Sequence, residues 1–225
     1  MSTRPWPTIA LLVAAPVALN VAFLGLGAVF DYPDVLQQPA PDVLELFRAN
    51  RFAVITWFAV LAAAALALAP LAIRIGRLDN SPIMRRAVHL GVAAAAVQAI
   101  GLLRWPLLVP VLADRAAAEG PGSSAVRTFE LLGSILGTAL GETLGYLLTA
   151  AWITLVCLAL RQTFPLWFTT LGYACAASIA LGVLIPLDLP YVDTANFLGY
   201  ILWSAWLLLF AALLTARPQP AEAPA

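Results

Sequence analysis

Residues 129–152 read FELLGSILGTALGETLGYLLTAAW, and this stretch decides the fold. Gly133, Gly137, Gly141 and Gly145 recur every four residues, and Glu130, Ser134, Thr138, Glu142 and Tyr146 keep the same step. On an α-helix that step gives a smooth glycine groove beside a polar ridge, both drifting by about 40° per repeat. A glycine costs about 1 kcal/mol against alanine in a soluble helix, so four in register need a reason. In a bilayer the missing side chains let neighbouring backbones approach closely. The stretch therefore reads as the buried axis of a membrane bundle, with the four glycines as helix-packing residues.

The rest of the chain agrees. Of 225 residues, 62% are hydrophobic and 11% charged, and the mean hydropathy is +0.91. That composition belongs to polytopic membrane proteins. The formal net charge is zero, so no basic surface points to nucleic acid. Cys157 and Cys175 sit in apolar runs without a CxxC spacing, as small core hydrophobes do. A single histidine, His89, argues against a paired-histidine haem or a His-rich zinc site, so neither a cofactor nor a metal is expected.

Six apolar stretches are long enough to cross a bilayer, at residues 8–30, 52–73, 87–113, 129–160, 165–187 and 196–216. The expected fold is all-α, a single six-helix transmembrane domain over residues 1–217. Residues 218–225 form a Pro/Ala-rich tail too short to fold alone. Between the first two spans, Pro41 followed by Asp42 and Glu45 starts a short amphipathic helix. Val43, Leu44 and Phe47 give it one apolar face, suited to lying on the membrane surface. Residues 74–86 read as an Arg-rich hinge and residues 114–127 as a Gly/Pro/Ser loop. An even number of spans puts both termini on one side. That side carries seven arginines (Arg4, Arg74, Arg77, Arg85, Arg86, Arg161, Arg217) against four (Arg48, Arg51, Arg115, Arg127), which places the termini in the cytoplasm.

Charges inside apolar spans are the informative residues. Arg104 lies in LLRWPLL in the outer half of the third span, and Glu142 lies in the fourth. Each costs at least about 2.5–3.5 kcal/mol at the bilayer centre, so each faces the bundle and needs a partner. The economical pairing is with one another. Pro106, two residues on, cannot donate a backbone hydrogen bond and loosens the helix there. Two readings stay open. In one, Arg104 and Glu142 are an ion-pair clamp between the third and fourth helices. In the other they line an outward-facing polar pocket with Tyr146, and Asp31, Tyr32, Asp188, Tyr191 and Asn196 stand at its mouth. Asp, Tyr and Pro at helix ends are also ordinary turn and interface anchors. Asn20 reads as an interhelical hydrogen bond.

YPDVLQQP, then GLLRWPLLVPVLA, GETLGYLLTAAW and NFLGYILWSAWLL in that order resemble a bacterial family of six-helix membrane proteins known only as a domain of unknown function. The resemblance rests mainly on Tyr32, Pro33, Arg104, Trp105, Gly141, Glu142, Gly145, Asn196 and Trp203. It implies the fold and a bacterial inner-membrane location, and it supplies no activity. Three functions therefore compete. The first is a non-enzymatic binder or sensor of a small amphiphile, lipid or partner helix, in contact with membrane lipids. The second is a membrane-embedded enzyme using Glu142 for acid–base work on a lipid-like substrate, without a Ser/His/Asp set or a carboxylate run to support it. The third is a small transporter, lacking paired broken helices or a clear repeat. The oligomeric state stays open, although the polar ridge beside the glycines favours their use within one bundle.

Overall fold

The computed structural model describes residues 5–187 and 189–216. The proposed tail, Arg4, Asp188 and Arg217 lie outside these residues. Six helices are long and apolar enough to span a membrane, covering Trp6–Phe30, Arg51–Leu78, Pro82–Leu107, Ser124–Leu160, Leu166–Leu187 and Val192–Ala216. No strand occurs among the described residues. The first helix, α1 (Trp6–Phe30), shows why: leucine, valine and alanine occupy all of its faces. An all-round apolar helix cannot rest on a soluble core and belongs in lipid. Val13, Val17, Val21 and Leu24 form an exposed stripe along it.

The spans follow one another around a ring in chain order. Helix α1 packs on α3 (Arg51–Ile75), and α3 packs on α4 (Pro82–Leu107). Helix α4 packs on α7 (Gly145–Leu160), α7 on α8 (Leu166–Leu181), and α8 on α9 (Val192–Ala216). Helix α9 returns to α1 and closes the ring. Small residues and single hydrogen bonds mark the seams. A Cβ on Gly91 would meet the Cβ of Ala72 at 2.6 Å, and Gly25 faces the Trp57 ring across the α1–α3 seam. Gln98 Nε2 donates to Thr149 Oγ1 at 2.7 Å, and Trp206 Nε1 donates to the Phe168 carbonyl at 3.0 Å. Asn20 Nδ2 donates to Ser204 Oγ at 2.9 Å, joining first span to last. Such bonds contribute about 0.6 kcal/mol each in membranes, so close packing carries most of the association.

One end of the ring is capped. Helix α2 (Ala40–Ala49), α5 (Val109–Glu119) and α6 (Ser124–Leu132) pack together there. Trp105, at the end of α4, rivets the cap to the spans. Its ring stacks on Phe58 at 4.7 Å and meets Phe30, Phe47 and Phe129 at 5.2–6.2 Å. Offset and edge-on contacts of this kind are worth about 0.5–1.5 kcal/mol each beyond area burial. The opposite end carries Trp6 and Ala216, the first residue of α1 and the last of α9. Its interior is filled by a second apolar cluster that includes Leu71, Ile75, Trp152, Phe168, Trp206 and Phe210. Cys157 and Cys175 are free thiols inside this cluster.

Four expectations need correction. The third span stops at Leu107 instead of Ala113, and a new helix starts at Val109. Pro106 and Pro110 each remove a backbone donor at the break. Residues 114–127 are largely helical, because Ser123 accepts a hydrogen bond from the Val126 N–H and starts α6. The apolar face of α2 is spent on protein: Val43, Leu44 and Phe47 are buried at 2%, 2% and 0% exposure. Finally, the glycine-rich stretch is not α-helical throughout. Gly133–Leu144 form a π-helix between α6 and α7. Its i→i+5 bonds widen the turn beyond four residues, so a four-residue repeat drifts in the sense opposite to that on an α-helix.

Candidate functional site in the capped half of the ring

The π-helical segment packs on α4, and glycines decide how closely. A Cβ on Gly101 would lie 2.8 Å from the Leu136 carbonyl oxygen and 2.9 Å from the Cα of Gly141. Gly137 faces the Arg104 guanidinium, and Gly145 faces the Gln98 side chain. Three of the four repeated glycines thus meet α4, whereas Gly133 has open space where a Cβ would be. Gly101, the glycine that completes this contact, stands outside the four-residue series.

Above this contact the ring encloses a cavity of about 830 Å³. Helices α1, α3, α4, α7 and α9, the π-helical segment and residues 32–37 all contribute to its wall. Apolar side chains such as Leu19, Leu61, Leu102 and Ile185 cover much of it, among a few polar groups. Arg104, Glu142, Tyr146, Tyr32 and Asn196, five of the expected residues, line this one space. Asp31 and Tyr191 do not; both are exposed at helix ends in the left-handed region, at φ 52° and 68°. Asp188 lies outside the described residues. Gln98, Tyr200, Phe197 and the carboxylates Asp34 and Asp193 line the cavity as well without being expected there, and Asn20, expected only to make an interhelical hydrogen bond, also reaches the wall. Gln98 and Gly101 precede Arg104 by six and three residues on one helical face, and Tyr200 follows Asn196 by four. That spacing was the available signal.

Arg104 and Glu142 share the cavity without an ion-pair contact; among the described residues such contacts join Arg51 to Asp114 and Arg115 to Glu119. Arg104 Nη1 instead donates to the Gly101 carbonyl at 2.6 Å, and its guanidinium carbon lies 5.4 Å from the centre of the Trp105 ring. Gly101 and Gly137 have no side chains, which leaves room for the guanidinium to fold back along its own helix. The Glu142 carboxylate has no hydrogen bond to any described residue. Asn196 Nδ2 donates to the Ile179 carbonyl at 2.9 Å. The Tyr146 and Tyr200 rings lie 5.8 Å apart. Burial pushes the Tyr32 phenol up to about 12; the Glu142 carboxylate adds to that rise and the Arg104 guanidinium opposes it. Among the described residues no three His, Cys, Asp or Glu side chains group as metal ligands would.

Chemically, this is a largely apolar chamber with one arginine and one carboxylate, Arg104 and Glu142, set inside it without a direct ion pair, and two exposed carboxylates, Asp34 and Asp193, also on its wall. The fold and the six spans define a multi-pass membrane protein. The chain belongs to the family described as a domain of unknown function (DUF4386), which matches residues 9–211. No curated protein and no solved structure matches it.

Proposed function

We propose that this protein is a non-enzymatic binder of a small amphiphile or lipid, held in the cavity of the capped half. In this reading the protein lies in a bacterial inner membrane, the capped end faces outward and both termini are cytoplasmic. The observation that carries the proposal is the pairing of apolar walls with Arg104 and Glu142, which form no direct ion pair, in one chamber of about 830 Å³. A charge retained at membrane depth without a protein partner is costly, and a ligand that meets it recovers that cost.

The test is lipid retention. Wild-type protein purified in a mild detergent is expected to carry co-purified lipid, detected by native mass spectrometry, and Arg104→Gln is expected to lose most of it. Comparable lipid content in folded wild type, Arg104→Gln and Glu142→Gln would sink the proposal. A second reading, acid–base chemistry at Glu142, is favoured by that carboxylate having no hydrogen-bond partner in a cavity also lined by Tyr146. Identical lipid product profiles from membranes carrying wild type and Glu142→Gln would rule it out.

A further inference from the structure

The cavity is not sealed from the side. Leu24, Phe197 and Ile201 line it and are also 75%, 47% and 42% exposed, and Leu24 belongs to the exposed stripe of α1. They come from α1 and α9, so the opening lies between the first and last spans. Just below it the Asn20–Ser204 hydrogen bond holds the seam together, and the Phe23 and Phe197 rings lie 6.1 Å apart at its edge. The outer surface of a transmembrane ring faces hydrocarbon. A ligand using this opening arrives from the bilayer and can leave its apolar chain there.

The less exposed charges, Arg104 and Glu142, restrict the headgroup, while the exposed Asp34 and Asp193 carboxylates also line the cavity. A purely anionic amphiphile would pair with Arg104 and be repelled by Glu142, and a purely cationic one would do the reverse. A neutral one would leave both groups unmatched. A headgroup bearing an anion and an amine satisfies both at once. A guanidinium suits the oxygens of a phosphate because its N–H groups present a planar fork. A primary ammonium has three N–H donors and no acceptor, which suits a carboxylate that otherwise has no donor.

Resting on the amphiphile-binding reading above, we propose that the cavity takes the headgroup of a zwitterionic, amine-bearing phospholipid through the α1–α9 opening. The phosphate sits on Arg104, the ammonium on Glu142, and the acyl chains trail into the membrane.

The experiment offers the purified protein equal amounts of phosphatidylethanolamine and phosphatidylglycerol with the same acyl chains and reads bound lipid by native mass spectrometry. Both lipids carry the phosphate, and only the first carries the amine. A charged hydrogen bond is worth enough to give wild type a preference of about tenfold for phosphatidylethanolamine. Glu142→Gln is expected to bring that preference to within about twofold while binding of phosphatidylglycerol persists. Arg104→Gln is expected to weaken both lipids, with Arg104→Lys as the milder variant should the glutamine protein fail a thermal-unfolding check. Equal binding of the two lipids by wild type, or a preference that survives in Glu142→Gln, overturns the headgroup assignment and leaves amphiphile binding standing. Retention of neither lipid by folded wild type overturns the underlying reading itself.

Discussion

Gly101 and Gly141 face one another across the narrowest part of the α4–π contact, and nothing larger fits there. A leucine at Gly101 must displace the Leu136 carbonyl or the Gly141 backbone, both fixed by helix geometry. Overpacking of this kind costs about 1–3 kcal/mol, and here it also pushes Arg104 away from its seat beside Gly137. Gly133 is the control. Its backbone is right-handed helical, at φ −59° and ψ −50°, and a Cβ there meets nothing. Gly133→Ala is expected to be neutral or to stabilise by about 0.4–1 kcal/mol through the unfolded chain. Thermal unfolding in one detergent checks both. A Gly101→Leu midpoint equal to that of Gly133→Ala would show that the close approach carries no energy.

At the scale of elements, the cap raises the question of what docks it: ion pairs or aromatic packing. Arg51, which opens α3, bonds Asp114 and the Pro110 carbonyl of α5. The pair is 38% and 60% exposed, so solvent screens it and its removal costs about 0–1 kcal/mol. Phe47 on α2 is fully buried against the Trp105 rivet, and a buried Phe→Ala change costs about 3–5 kcal/mol. Asp114→Ala should therefore leave limited proteolysis of residues 31–50 nearly unchanged, and Phe47→Ala should make that segment readily cleaved. The reverse order would make the ion pair the main tie. Much of this level was legible in the sequence. Uninterrupted apolar runs revealed the spans, and polar residues inside them pointed to Arg104, Glu142, Tyr146 and Asn196. The cap was harder to read, because 87–113 is one apolar run whose break depends on two missing N–H groups at Pro106 and Pro110. The π-helical turn left no separate mark, since glycines at four-residue spacing suit an i→i+4 or an i→i+5 bond equally well. Gln98 and Tyr200 were missed because each is conspicuous only beside the polar residues of a neighbouring helix.

For the whole molecule, six spans in ring order bring Trp6 and Ala216 to the same end. The proposed orientation then puts four arginines of residues 74–86 on the cytoplasmic side, where positive residues are retained. A fluorescent protein fused after Ala225 is expected to fluoresce, and alkaline phosphatase fused there is expected to be inactive. An active phosphatase fusion would invert the orientation and turn the capped end toward the cytoplasm. Neither result alters the ring itself, which depends on packing alone.

That ring has a consequence for how the protein is made. Its chamber is bounded on one flank by α9, the last of the six described spans in chain order. Until that segment inserts, Arg104 and Glu142 stand in a half-built basket with one side missing. A chain cut short before Val192 is expected to expose Arg104 and Glu142 to lipid and to be degraded faster than the full chain, which a pulse-chase comparison checks. The chamber acquires that flank of its wall only once α9 is in place.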